Sequence, residues 1–210
     1  MGGQHKGVAA HRAVWKVREY EVVEVLESTD RFMEVLGRNN LADVERVLRI
    51  YGVPPLASDE QRERAESRAR WESKILALLG RNEHILRADP PFSDEAGIVL
   101  PFERFVGVTL ATWLEKHGEV LSHGKDNQPA RVALWQKMVD AIRYAHAQGV
   151  VHRLLRPEVL LVEDRPDHPA LRVTGFDLAK RMGGGATVSL STISDDRLRF
   201  AAPEVVGAFS

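Results

Sequence analysis

The spacing of apolar and polar positions changes character midway along the chain. In the first half, apolar residues recur with the period of a strand. The stretch from His11 to Ser28 is rich in Val, Tyr and Trp, and Arg31 to Asn40 reads as a second short strand with a polar end. From Val44 to Gly52, Val47, Arg49 and Tyr51 alternate with Leu48 and Ile50, which predicts a third. Pro54 and Pro55 break the chain, and Ser58 with Gln61 forms a capping box reinforced by Asp59 and Glu60. A helix to about Leu79 follows, with Trp71, Ile75, Leu78 and Leu79 on one stripe and Gly80 as its stop. His84 to Asp89 and Gly97 to Glu103 predict two more strands, with Pro90, Pro91 and Ser93 to Gly97 as the turn between them. The first half therefore predicts five strands and one helix.

The second half is patterned for helices. Thr109 can cap a short helix over 110–118, and 123–130 reads as a loop. From Arg131 to Gln148, Val132, Trp135, Val139, Ile142 and Ala145 recur at helical spacing until Gly149. Val159 to Glu163 and Leu171 to Phe176 are short apolar segments joined by the turn Asp164 to Pro169. Gly183 to Asp196 is polar and glycine-rich. An α+β chain with a strand-rich lobe, then a helix-rich lobe, joined near Pro101 to Gly107, is the organisation expected.

Composition narrows the function classes. Of 210 residues, 44% are hydrophobic and 28% charged, as in a globular protein, and the formal net charge is −1. Near-neutrality gives no sign of a nucleic-acid partner. The absence of cysteine excludes disulfides, thiol catalysis and cysteine-ligated zinc, and fits a cytoplasmic location. No apolar run approaches the ~18 residues of a membrane span.

Three motifs then stand in order. His152-Arg-Leu-Leu-Arg-Pro-Glu-Val159 follows a helical run, Gly175-Phe-Asp-Leu-Ala-Lys-Arg181 comes next, and Ala202-Pro-Glu204 closes the series. Protein kinases carry H-R-D-L-x-x-x-N, D-F-G and A-P-E in that order. The chain resembles a protein kinase domain over about Arg18 to Glu204. The resemblance implies a bilobal fold with a five-stranded antiparallel sheet plus one helix over 18–103. A truncated, mainly helical lobe over 104–210 would end just after the A-P-E-like motif, and 1–17 would be an N-terminal extension. The degenerate stretches at Val14 to Tyr20 and His152 to Val162 are also similar to kinase-like modules in large bacterial multidomain proteins of the phage-defence type.

The same resemblance implies lost chemistry. Leu154 stands where the family has its catalytic aspartate, Val159 where the loop asparagine holds magnesium, and Gly175 where the D-F-G aspartate does so. Arg156 replaces the loop lysine, keeping charge but not geometry. Losing a general base costs ~10²–10⁴ in rate, and losing the metal ligands removes the larger electrostatic contribution. No catalytic residue and no metal site are expected. Asp177 stands two residues late; along a strand that is ~6.6 Å away. It reaches the metal position only if the segment slips, and is otherwise a solvated loop aspartate.

The phosphate-binding loop of the family corresponds to Glu27 to Arg31, which lacks glycine and carries Glu27 and Asp30. Arg49 falls at the position of the strand lysine, and Glu72 at that of the helix glutamate. Two arrangements are open: a bidentate Arg49–Glu72 pair, or both side chains in solvent. Pro101 removes a backbone donor near where adenine would bind. His152 reads as a packed structural histidine, and Arg153 as a candidate partner for a phosphorylated residue among 187–194.

The expected function is a catalytically inactive kinase-like module with a regulatory or protein-interaction role and no cofactor. The alternatives are an atypical kinase binding ATP and magnesium weakly through Arg49, Glu72 and Asp177, or a nucleotide sensor without transfer. Expected partners are a protein or further domains of a larger polypeptide. Self-association is expected through the short helical lobe, near Trp135 or Met138.

Overall fold

The computed structural model describes residues 15–29, 31–52, 58–123, 128–165, 169–183 and 200. The A-P-E-like motif, Asp30, and residues 187–194 lie outside these.

A six-stranded antiparallel sheet forms the first lobe. Its strands are β1 (Lys16–Val17), β2 (Tyr20–Ser28), β3 (Met33–Asn39), β4 (Val44–Tyr51), β5 (Phe92–Asp94) and β6 (Gly97–Glu103). They lie in the order β1-β2-β3-β4-β6-β5. This corrects the expectation of five strands in two respects. Lys16 and Val17 pair with Glu21 and Tyr20, so the sheet begins inside the stretch read as an extension. Phe92–Asp94, which overlaps the predicted turn at Ser93 and Asp94, is a strand on β6, while the segment from His84 makes only isolated bridges at Ile85 and Ala88. The prolines at 90 and 91 explain this: a proline has no N–H to give to a ladder, so regular pairing resumes only after them.

Helix α1 (Asp59–Leu79) starts at the Ser58–Gln61 capping box, both halves of which are made. Its buried stripe runs through Ala65, Ala69, Glu72, Ile75 and Leu79. Leu78, assigned above to the stripe, is exposed, because the strict i, i+3, i+4 series from Glu72 passes it by.

The second lobe contains β7 (Val108–Thr109), α2 (Leu110–His123), α3 (Gln128–Ala147), β8 (Val150–Val151), β9 (Leu160–Val162), β10 (Leu171–Val173) and β11 (Lys180–Arg181). Both helices extend into the stretch read as a loop. Thr109 caps α2 as expected, its Oγ1 accepting from the Thr112 N–H at 3.2 Å. Gly149, at φ +73°, gives the left-handed turn after α3. The core of this lobe is built on Trp113, Leu134, Ala141, Val162 and Val173, and it also takes in Ile75 and Leu79 of α1.

Direct ties hold the two lobes together. Trp71 donates its indole N–H to the Ala179 carbonyl at 2.9 Å, and the Tyr144 hydroxyl donates to the Leu79 carbonyl at 2.7 Å. The Leu86 N–H donates to the Val173 carbonyl at 2.9 Å, and the Val173 N–H to the His84 carbonyl at 2.8 Å.

Candidate functional site

Between the sheet and the second lobe lies a buried cluster of charges. Arg49 on β4 is 5% exposed. Its Nε and Nη2 both donate to Glu34 Oε1 on β3, at 2.8 and 2.7 Å, and its Nη1 donates to Glu72 Oε1 on α1 at 2.5 Å. The Tyr51 hydroxyl donates to Glu72 Oε2 at 2.5 Å, so both oxygens of this fully buried carboxylate are occupied. The guanidinium of Arg49 also lies over the Phe32 and Phe102 rings, 4.3 and 5.0 Å from their centroids. Of the two arrangements left open, the buried pair is therefore the one present. It is not bidentate on Glu72, because the fork of Arg49 engages Glu34.

A second pair crosses from one lobe to the other. Arg31, in the turn between β2 and β3, places Nη1 2.9 Å from Asp177 Oδ2, and the Arg31 side chain is 3% exposed. Thr29 fixes that turn: its Oγ1 accepts from the Arg31 and Phe32 N–H groups at 3.2 and 3.1 Å. Asp177 belongs to a 3₁₀ turn over Phe176–Leu178. The expectation of a solvated loop aspartate is corrected: Arg31 holds Asp177 in the cleft.

Together the cluster holds the guanidiniums of Arg31 and Arg49 against the carboxylates of Glu34, Glu72 and Asp177. Negative charge is in excess. Burial, with Asp177 nearby, raises the Glu72 carboxyl above its ordinary range although Arg49 pulls it down. Burial and then Glu72 raise the Tyr51 hydroxyl well above its own.

Below the cluster, Leu154 and Val159 are buried, at 5% and 8% exposure. Gly175 has φ +77°, and a Cβ added there would stand 2.6 Å from Val159 Cγ1. Val159 thus fills the space in front of Gly175. Arg156 Nη1 pairs with Glu158 at 2.9 Å. His152 is buried, with Nε2 2.8 Å from the Thr174 carbonyl, and burial lowers its pKa. Because that carbonyl only accepts, Nε2 carries the proton of a neutral ring. Arg153 has φ +71° and donates to the Leu178 carbonyl at 3.3 Å. Among the described residues, no group of His, Asp or Glu side chains is arranged to hold a metal ion.

A family model of the protein kinase domain matches residues 32–210. The chain belongs to the protein kinase domain family. It is 25% identical over 179 residues to the putative ribosomal protein S6 kinase alpha-2 of Caenorhabditis elegans, covering 82% of this chain and 22% of that protein. It is 30% identical over 136 residues to the serine/threonine-protein kinase RAD53 of Saccharomyces cerevisiae, covering 64% and 15%. It is 25% identical over 188 residues to myosin light chain kinase A of Dictyostelium discoideum, covering 87% and 60%. The chain therefore spans between 15% and 60% of the length of these kinases.

In this kinase domain, sequence reasoning found Arg49 and Glu72 but missed Arg31, Glu34 and Tyr51. Tyr51 carried a signal: two residues after Arg49 on a strand, it must share that face. Arg31 carried none, since its partner is far away in sequence and outside any periodicity. No described helix of the domain is long and apolar enough to cross a membrane.

Proposed function

We propose that this kinase domain is a catalytically inactive module with a regulatory or protein-interaction role, belonging to a larger polypeptide. The observation that carries this reading is the placing of Val159 where a Cβ at Gly175 would stand. These are the two positions that the family motif assigns to magnesium ligands, and a Cβ at Gly175 would stand 2.6 Å from Val159 Cγ1, so a side chain there requires Val159 to shift. Leu154, at the position of the catalytic aspartate, can neither orient nor deprotonate a hydroxyl. The residues present do not fit a magnesium–nucleotide pair.

The phosphate end of the cleft supports the same reading. The loop that the family uses to cover phosphates here delivers Arg31 to Asp177, and Arg49 is already held by Glu34 and Glu72. The one aspartate that could have stood in as a metal ligand is paired to a buried cation.

Thermal melting with ATP, with and without magnesium, tests the proposal. No magnesium-dependent shift is expected below about 1 mM ATP, the concentration equivalent to ~4 kcal/mol of binding. A clear magnesium-dependent shift below that concentration overturns it in favour of weak ATP binding through Arg49, Glu72 and Asp177.

A further inference from the structure

We propose that Arg18 is a clasp that closes the first-lobe sheet on itself, and that this clasp opens and shuts as one unit with the turn between β5 and β6. The device lies outside the cleft and stands or falls independently of the inactive-module reading.

β1 and β5 are the terminal strands of the six-stranded order, yet the corner after β1 reaches β5. Val17 pairs with Tyr20, so Arg18 and Glu19 form a two-residue hairpin loop. Arg18 stands at φ +49°, in the left-handed region that such loops usually give to glycine, asparagine or aspartate. A residue kept there against its preference needs surrounding contacts to hold it. Arg18 finds them on three consecutive residues of β5. Its backbone N–H donates to Asp94 Oδ2 at 3.0 Å. Its Nε and Nη2 donate to the Ser93 carbonyl at 3.1 and 2.9 Å. Its guanidinium lies over the Phe92 ring, 4.4 Å from the centroid. Beneath this seam, Val17 and Tyr20 share a core with Val99, and Phe92 and Ala96 pack against it.

Asp94 joins the clasp to the turn. While Oδ2 takes the Arg18 N–H, Oδ1 accepts from the Ala96 N–H at 3.1 Å. Ala96 leads into Gly97, at φ +127°, where an added Cβ would require the Tyr51 backbone to shift. Tyr51 is the residue whose hydroxyl holds Glu72 in the cleft. The seam therefore ends against the strand that carries the buried cluster. The bonds that Arg18 makes lie at the surface, whereas Val17 and Val99 beneath them are fully buried. Surface bonds of this kind open locally, at a free energy well below that of global unfolding, so the seam can part while the core stays packed.

Amide exchange on the full chain tests the clasp. Arg18→Gly suits the loop conformation and removes the guanidinium. It should speed exchange at Ala96 by about five- to tenfold, although Asp94 is untouched. Asp94→Ala should speed exchange by a similar factor at Val22, whose N–H donates to the Trp15 carbonyl at 2.9 Å on the far side of the hairpin. Protected amides of β3 and β4 should keep their rates in both variants. Glu95→Ala, which removes an exposed acid from the same turn, should move neither reporter. An unmoved Ala96 in Arg18→Gly, or an unmoved Val22 in Asp94→Ala, overturns the proposal, because the two sides of the seam then open separately. Equal acceleration in β3 and β4 also overturns it, as a general weakening of the sheet, and so does acceleration in Glu95→Ala. The cleft reading is judged by ATP and magnesium, so the two can fail independently.

Discussion

Replacing Glu72 by alanine measures what the buried cluster contributes. The substitution removes the partner of Arg49 Nη1 and of the Tyr51 hydroxyl, both at 2.5 Å. Breaking a buried ion pair costs ~3–5 kcal/mol when the remaining charge is stranded. Here it is only half stranded, because Glu34 still accepts from Nε and Nη2 of Arg49. The orphaned Tyr51 hydroxyl adds ~1–3 kcal/mol. Removing a carboxylate that burial already disfavours returns part of the sum. The expected net loss is ~3 kcal/mol, set by the pair remaining half satisfied. With a urea slope of ~2 kcal/mol/M, the unfolding midpoint falls by ~1.5 M. Glu72→Gln keeps an acceptor for Arg49 and should fall less. An unchanged midpoint for Glu72→Ala refutes the reasoning, because an exposed pair contributes under ~1 kcal/mol.

Other outcomes follow from the same geometry. The Glu72 carboxyl is raised above its ordinary 4.5. Its contribution is therefore complete below that pH and is lost as pH rises through the folded value. The advantage of the natural chain over Glu72→Gln, read from urea midpoints, should shrink between about pH 4.5 and neutrality; an advantage that grows rejects this assignment. Gly175→Asp combines a left-handed backbone with the Val159 contact and should cost ~2–4 kcal/mol in melting experiments. Adding Val159→Ala should recover part of that, and no recovery would show that backbone strain alone is responsible. Trp135 and Val132 on α3 are 64% and 53% exposed. We expect light scattering to show dilution-sensitive self-association that Trp135→Glu abolishes; a strictly monomeric species at high micromolar concentration contradicts this.

Legibility followed the range of the forces involved. The helix was readable because its capping box and stripe are local: Ser58, Gln61 and Ile75 announce it within a few turns. β4 was readable from period two, and the resemblance to the kinase family singled out Arg49 on it. The match of the helix end from Trp71 onward to the family's pattern placed Glu72. β5 was not readable, because three residues after two prolines carry too little pattern to distinguish a strand from a turn. Arg31 was hidden for another reason. The turn Glu27 to Arg31 was judged by its missing glycine and its acids, and the arginine at its end binds a residue brought near only by the completed fold. Asp177 was read as solvated on the same ground, since its partner sits in the other lobe.

The ties between the lobes set how the molecule transmits force. Swinging one lobe away from the other would separate Trp71 from Ala179, Tyr144 from Leu79, and Val173 from both Leu86 and His84. At ~1 kcal/mol net for each hydrogen bond, these four resist by ~4 kcal/mol, so an opened form is populated at roughly one molecule in a thousand. Parting Arg31 from Asp177 adds to that resistance. The two lobes are thus tied at several separate points, and parting them takes the loss of all these bonds together.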